Sequence, residues 1–193
     1  AIPPEAIDHI EILRDGAAAQ YGSDAIAGVI NIILKKDAPG EISAQVGQTK
    51  VGDGRTSIVD GSYSWALPKN GYLNLSGEAR KADSTNRSGI DTRQQYFTGD
   101  PRNSDPKLTN RIDSWVGDPN QRGASGMFNL GIPLTDSLQL YAFGGVSYSN
   151  GLAAGFFRRP NDDRTVRAIY PNGYLPLIES HIWDVSEATG LKG

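Results

Sequence analysis

The feature that most constrains this chain is residues 10–35, where strand, helix and turn signals follow one another with almost no spare residues. Ile10 and Ile12 flank Glu11 in the alternation of a half-buried strand, which stops at an Asp-Gly pair. An Ala-Ala-Ala-Gln run then favours a short helix that a Tyr-Gly pair ends. Residues 29–34 are β-branched or apolar except for one Asn, which predicts a buried strand. We expect it to pair with residues 10–13, because a buried strand needs backbone partners.

The same segment resembles the end of the plug domain in TonB-dependent outer-membrane receptors. In that family an Arg-Gly or Arg-Asp-Gly turn, a Tyr-Gly-Ser element and a Gly-Val-Ile-Asn-Ile strand follow in this order at about this spacing. A lone Tyr-Gly carries no information, whereas a match over roughly twenty consecutive positions is a strong signal. The turn and the Tyr-Gly-Ser element are formed here by Arg14, Asp15, Gly16, Tyr21 and Gly22, and the strand by residues 28–32.

The composition excludes several classes of protein and of site. A net charge of -3 argues against a nucleic-acid surface, and the absence of Cys excludes disulfides and thiolate metal sites. The 23 Gly and 11 Pro favour a β-rich, loop-rich fold. No apolar run is long enough for a transmembrane helix, but a membrane β-strand needs only about ten alternating residues. Since the chain begins without Met and inside a domain-like segment, we expect it to be part of a longer protein.

Beyond residues 37–40, apolar and polar residues alternate in about six segments. One face of the second and third segments combines Tyr63 and Trp65 with Leu73 and Leu75. In the fifth segment the pattern leaves open whether the leucines and Val146 or the aromatic residues face outward. The predicted strands are residues 41–49, 56–67, 72–80, 124–133, 138–148 and 180–191.

The connections between these segments have two very different lengths. Residues 68–71 and 134–137 carry the Pro, Asn, Gly and Asp of tight turns. Residues 81–122 and 150–176 are long and polar, which is typical of functional loops. Short turns at one end and long loops at the other are typical of outer-membrane barrels, although the connection at 50–54 is short for an outer loop.

Alternating strands also fit a soluble β-sandwich, so two interpretations stay open at the level of residues. Tyr63 and Trp65 suit either an aromatic belt at a membrane interface or the core of a sandwich. Asn74, Ser76 and the charged residues after them suit either a barrel interior or a solvent-exposed sheet face.

The resemblance implies a mainly β fold, in which a partial transmembrane antiparallel β-barrel follows the carboxyl-terminal piece of an α+β plug domain. The family's barrel has about 22 strands, of which about six amino-terminal strands would be present. On this interpretation residues 1–36 are plug, residues 37–40 are a linker, and residues 41–193 are barrel.

The function that the resemblance implies is active uptake of a scarce, bulky solute across the bacterial outer membrane. A ferric siderophore is the first expectation, and an oligosaccharide or cobalamin is the alternative. The expected partners are outer-membrane lipid and the TonB inner-membrane complex, which would act through an amino-terminal box upstream of this chain. A passive porin and a soluble carbohydrate-binding β-sandwich are the competing classes of protein.

The candidate site residues follow from the same resemblance. Plug arginines of the family pair with barrel carboxylates, so Arg14 is a candidate latch and Glu78 its candidate partner, with Arg80 beside it on the plug-facing wall; a solvated Arg14 is the alternative. A charged cluster in the last long loop is a candidate for contact with substrate or with lipopolysaccharide phosphates, although a solvated loop is the more common use of such residues. That cluster comprises Arg158, Arg159, Asp162, Asp163 and Arg164.

Enzymatic chemistry finds no support in the sequence. His9 and His181 are far apart, and neither belongs to a metal-ligand spacing. The sequence contains no nucleophile elbow, phosphate loop or dinucleotide fingerprint. We therefore expect no enzyme, no cofactor and no metal site.

Overall fold

A computed structural model describes residues 2–14 and 28–193 and is mainly β, as predicted. Its strands form a two-stranded and a six-stranded antiparallel sheet, and within each sheet every strand pairs with the next one along the chain. A 3₁₀ turn at Pro4–Ala6 precedes the first sheet, and short helical turns occupy Pro101–Ser104 and Pro106–Thr109. The strands are β1 (Ile7–Leu13), β2 (Val29–Leu34), β3 (Glu41–Gly47), β4 (Thr56–Leu67), β5 (Gly71–Ala82), β6 (Asn120–Thr135), β7 (Leu138–Ala154) and β8 (Leu177–Lys192).

Strands β1 and β2 form a ribbon with the predicted pairing. Ile10 lies opposite Ile32 and Glu11 opposite Asn31, whose Nδ2 donates to Glu11 Oε2 at 2.8 Å. The prediction that β2 is buried was wrong, since Ile30 is 69% exposed. Ile10, Ile12, Ile30 and Ile32 share one face of the ribbon, and all four are exposed. The predicted helical crossing between the strands lies outside the described residues.

The β4–β5 hairpin confirms the predicted register. Tyr63 lies opposite Leu75 and Trp65 opposite Leu73, so the two aromatic residues and the two leucines share a face. The chain reverses at Pro68–Asn70, where Lys69 and Asn70 have φ values of 58° and 62°. Two consecutive left-handed residues match the twist of antiparallel strands and make the reversal tight.

The six-stranded sheet has two chemically different faces. The polar face carries buried Asp60, Ser62, Asn74, Ser76 and Asn129, and the apolar face carries the aromatic and aliphatic residues between them along each strand. Residues directly opposite each other in an antiparallel pair share a face. Four charged residues of these strands interrupt the apolar face, namely Lys81 in β5, Arg122 in β6, and Glu179 and Glu187 in β8.

The register also shows which residues of β7 lie on the apolar face, a question that the sequence left open. Leu140 lies opposite Ile132, and Val146 lies opposite Gly126, so both join the apolar face. Tyr141 and Phe143 therefore belong to the polar face, where their rings stack with centroids 6.4 Å apart.

The long connections, residues 83–119 and 155–176, lie at the same end of the sheet and are tied to each other. Tyr96 is buried, and its Oη donates to Asn172 Oδ1 at 2.9 Å. Arg159 Nη1 donates to the Gln94 carbonyl at 2.8 Å. Strands β6, β7 and β8 extend further toward this end than predicted, over residues 120–123, 149–154 and 177–179, where apolar and polar residues do not alternate. Among the described residues, no helix has the length and apolar character needed to cross a membrane.

Candidate functional site

The buried part of the polar face lies beneath the Pro4–Ala6 turn. This turn contacts β4 and β5, and Pro3 and Ala6 are buried against the sheet. Asn74, which is only 1% exposed, donates from Nδ2 to Ser64 Oγ at 2.8 Å. A row of small polar side chains leaves room for a second segment of chain to approach the sheet closely. The segment that includes β1 and β2 is therefore seated on the polar face at this turn.

Lys35 is the centre of this contact. Its side chain is 14% exposed, and its ammonium forms ion pairs with Glu5 Oε2 at 3.6 Å and with Glu41. Burial lowers the pKa of Lys35 and the two carboxylates raise it, with a net rise above its ordinary value. Lys35 is therefore a charged residue that joins the turn before β1 to the first residue of β3.

The Lys35 backbone takes part in the same contact. Its N–H donates to the Ala6 carbonyl at 2.9 Å, and its carbonyl accepts from Asn129 Nδ2, also at 2.9 Å. Both backbone groups of one residue thus have partners on different elements, in addition to the side-chain ion pairs. The next residue continues the contact, because the Lys36 ammonium lies 5.8 Å from the centroid of the Tyr72 ring in β5.

Two carboxyl groups meet beside Lys35. Burial, followed by the neighbouring Asp60 carboxyl, raises the pKa of Glu5. Ser43 Oγ lies 2.8 Å and 2.9 Å from the two Asp60 oxygens and completes their hydrogen bonding. We name Glu5, Lys35, Glu41, Asp60 and Asn129 the clasp. Its chemistry is reversible and non-covalent, so it can hold two segments together and release them.

The structure does not join the described latch residues by ion pairs. Arg14 follows the end of β1 and is exposed, and none of the ion pairs among residues 2–14 and 28–193 includes Arg14, Glu78 or Arg80. Glu78 and Arg80 do share the polar face, where Glu78 lies opposite Asp60. Asp15, Gly16, Tyr21 and Gly22 lie outside the described residues. The latch and the plug-facing wall stay predictions.

The predicted loop cluster comes together within residues 155–176. Arg164 Nη2 donates to Asp162 Oδ2 at 2.8 Å, and this guanidinium holds the pKa of Asp162 well below its usual range. Arg158 pairs with Tyr174 through its backbone, Arg159 binds the neighbouring connection, and the Asp163 side chain is fully exposed. Much of the cluster is therefore engaged in holding the connections in shape, and its contact with substrate stays a prediction.

Sequence reasoning missed the clasp. Glu5, Lys35 and Asn129 are far apart in the sequence and belong to no motif. One signal was available, because Asp60 and Asn129 are polar residues in the middle of long strands. Such residues need partners if the face is covered.

The family model of the TonB-dependent receptor plug domain matches residues 1–29. The chain is 37% identical over 87 residues to the ferric enterobactin receptor PirA of Pseudomonas aeruginosa, a stretch covering 43% of this chain and 12% of that protein. It is 36% identical over 99 residues to the vitamin B12 transporter BtuB of Photobacterium profundum, which covers 51% of this chain and 15% of the transporter.

A shorter stretch is more similar still. Over 35 residues the chain is 60% identical to the ferrienterobactin receptor of Escherichia coli, covering 18% of this chain and 5% of the receptor. The chain thus spans a small part of the length of the curated relatives it matches. No solved structure matches it. The plug model, the named relatives and the mainly β structure agree in their support for a fragment of a TonB-dependent outer-membrane receptor.

Proposed function

We propose that this chain is part of a receptor that carries a bulky solute across the bacterial outer membrane with energy supplied through the TonB complex. The clasp is the observation that carries the proposal. A transporter of this kind needs an obstructing segment that is held firmly and yet without covalent bonds. Ion pairs and hydrogen bonds to the polar face meet both requirements, and a passive porin would have no need of them.

The proposed division of the chain puts the plug at residues 1–36, the linker at 37–40 and the barrel strands at 41–193. Lys35 then lies at the end of the plug, and Glu41 begins the barrel. The clasp would connect the two units across the linker at residues 37–40. This position is suited to a hinge about which the plug turns while the chain stays attached.

A ferric siderophore is the proposed substrate, and cobalamin is the second candidate. Two of the relatives described above are named for ferric enterobactin or ferrienterobactin, and one is named for vitamin B12. An oligosaccharide has no support from these names. The charged loop cluster around Asp162 is the proposed first contact for substrate, because it lies at the end of the sheet with the long connections.

Uptake measurements test the proposal in cells that express the receptor containing this chain. We expect accumulation of ⁵⁵Fe-enterobactin that requires an intact TonB complex, with little accumulation of radiolabelled cobalamin. Accumulation that persists without TonB would identify a porin. Uptake of cobalamin alone would support the proposed transport but would show that the substrate is not a ferric siderophore.

We also propose that Arg14 holds the plug through an inward carboxylate, either Glu78 or one on a strand outside this chain. Removing one member of such a pair would leave the other charge uncompensated. Arg14→Ala should therefore raise the sensitivity of cells to large antibiotics and leave substrate affinity of the purified receptor nearly unchanged. Unchanged permeability together with lost affinity would instead make Arg14 a ligand residue.

A further inference from the structure

The apolar face carries a row of basic residues at the end of the sheet with the long connections. Lys81 in β5 lies directly opposite Arg122 in β6, and Arg55 lies beside Asp83, whose N–H donates to the Arg55 carbonyl at 2.8 Å. Like charges directly opposite each other on neighbouring strands are unfavourable. An anionic partner would therefore stabilise this pair.

The negative charge nearby does not neutralise this row. Lys81 Nζ lies 3.3 Å from Asp83 Oδ1. None of the ion pairs among residues 2–14 and 28–193 includes Arg55 or Arg122, and both residues are exposed. Three cations thus lie near one carboxylate at this end of β5 and β6, which leaves a local excess of positive charge, since Glu179 and Glu187 of the same face lie on β8, two strands away from β6.

A groove runs across the apolar face below the basic row. Gly61, Gly77 and Gly126 lie directly opposite one another in three neighbouring strands, so the surface there has no side chains. Leu75 and Phe128 form one wall of this glycine groove, and Val146 closes its end. Val59, Ala79 and Ala124 separate the groove from Lys81 and Arg122. The groove suits a flexible hydrocarbon chain.

The distance between the basic row and the glycine groove fits a single amphipathic molecule. Lys81 and Gly77 are four residues apart in β5, which corresponds to about 13 Å along the strand. Tyr148 lies next to the basic row and packs against Trp183, with ring centroids 4.8 Å apart and the rings tilted by 42°. Tyr and Trp are enriched at membrane interfaces. Anionic headgroups are attracted to basic clusters at that level.

We infer that the apolar face contains a specific site for one lipid, whose anionic phosphate headgroup binds Lys81, Arg122 and Arg55 and whose acyl chain occupies the glycine groove. The inference rests on the proposed function only in that the apolar face must meet a membrane. The headgroup supplies the missing negative charge, and the acyl chain fills a surface that would otherwise be a void. The occupant is a lipid rather than a free anion, because the apolar groove lies on the same face as the basic row, about 13 Å along β5.

Titration of the purified full-length receptor with phosphatidylglycerol, followed by native mass spectrometry, tests the site. Replacing both Lys81 and Arg122 by Gln should weaken binding about thirtyfold, as expected for about 1 kcal/mol per basic residue. Lys107→Gln is the matched control, because this exposed lysine lies in the long connection. It should leave binding unchanged.

A second pair of variants tests the groove. A Cβ at Gly126 meets only the Ser76 carbonyl oxygen, at 3.9 Å, so Gly126→Val should fold normally while filling the groove, and lipid binding should fall about tenfold. Gly47→Val is the control, since a Cβ there meets nothing within 4 Å and Gly47 pairs with Thr56 away from the groove.

The inference is overturned if the double variant binds phosphatidylglycerol as tightly as the wild type does. It is also overturned if phosphatidylcholine of equal acyl length binds equally well, or if inorganic phosphate competes at equal concentration. Uptake of ⁵⁵Fe-enterobactin, measured separately, distinguishes a failure of the proposed function from a failure of the lipid site.

Discussion

Lys35 shows how a single residue can link two sheets. Its ammonium binds carboxylates before and after it in the sequence, while its backbone binds Ala6 and Asn129. The ammonium is largely removed from water, so loss of the charge would leave Glu5 and Glu41 facing each other without compensation. Residues of this kind are more sensitive to substitution than exposed ion pairs are.

Lys35→Met keeps the length of the side chain and removes its charge. We expect the contact between the β1–β2 ribbon and the polar face to weaken by about 1–3 kcal/mol. This is less than the cost of breaking a fully buried pair, because Glu41 is half exposed. Hydrogen exchange of the β1 and β2 amides should accelerate in the purified receptor. Lys50→Met, at an exposed turn lysine, is the control, and equal exchange in both variants would contradict the role of Lys35.

At the scale of elements, the close pairing of β5 with β6 depends on a missing side chain. Gly131 lies opposite Tyr72, and a Cβ added there would overlap the Tyr72 ring and approach Gln139 Nε2 to 2.7 Å. The ring therefore lies flat across the glycine, with Lys36 near its other side. Gly190 leaves the same room for Tyr141 in β7.

Gly131→Val should destabilise the sheet by about 1–3 kcal/mol, since the added atoms force the Tyr72 ring out of its place. Gly126→Val introduces the same side chain in the same strand without a clash and should stay within about 0.5 kcal/mol of the wild type. The measurement is thermal unfolding of the purified receptor by circular dichroism. Equal melting temperatures for the two variants would be incompatible with the observed packing.

The turn between β3 and β4 is attached to the long connection by Arg87. Its Nη2 donates to Asp53 Oδ1 at 2.9 Å, and the guanidinium is the main cause of the lowered pKa of Asp53. A lowered pKa means that the contact is complete above the ordinary Asp value of about 3.8 and is lost as the pH falls through the lower value in the folded protein.

Pepsin digestion of the purified receptor between pH 4 and pH 2 checks this dependence. In the wild type, the lowered pKa of Asp53 keeps it charged well below the ordinary Asp value, so cleavage within residues 83–119 should stay as slow, relative to the Lys107→Ala control, at pH 3 as at pH 4. Arg87→Ala should be cleaved about two- to fivefold faster even at pH 4, because Asp53 has lost its partner. Lys107→Ala serves as a control in the same connection. Identical digestion profiles would show that Arg87 does not hold the loop.

The sequence predicted elements whose signals are local and missed contacts whose partners are distant. Alternation around Tyr63 and Leu75 sufficed for the β4–β5 register, because a turn fixes which residues oppose each other. The same reasoning failed for Ile30, since apolar residues on both faces of a strand indicate burial only if other elements cover it. The clasp could not be predicted, because Lys35 and Asn129 meet only after six strands have assembled.

At the scale of the whole molecule, the aromatic residues of the apolar face lie at two levels. Trp65 lies near the short turns, and Tyr148 and Trp183 lie near the long connections. Tyr148 and Ala142, the β7 residue in the same row as Trp65, are six residues apart, which corresponds to about 20 Å. An apolar band of about 25 Å between aromatic girdles is characteristic of outer-membrane barrels.

Fluorescence quenching by doxyl-labelled lipids tests this arrangement in receptor variants that keep one of the three tryptophans. Trp65 and Trp183 are 43% and 69% exposed on the apolar face and should be quenched by shallow labels. Trp115 donates from Nε1 to the Thr85 carbonyl in the long connection and should be insensitive to them. Equal quenching at all three positions would contradict the membrane orientation of the sheet.

The register of the β1–β2 ribbon determines how it responds to force. Ile7 lies opposite Leu34 at one end, and Leu13 lies opposite Val29 at the other. Tension applied to the chain at Pro3 and resisted at Lys35 therefore acts on neighbouring ends of the two strands. In this geometry the backbone hydrogen bonds break one pair after another, as in a zipper, instead of sharing the load. The ion pair of Lys35 with Glu5 lies at the loaded end and would be the first bond to yield.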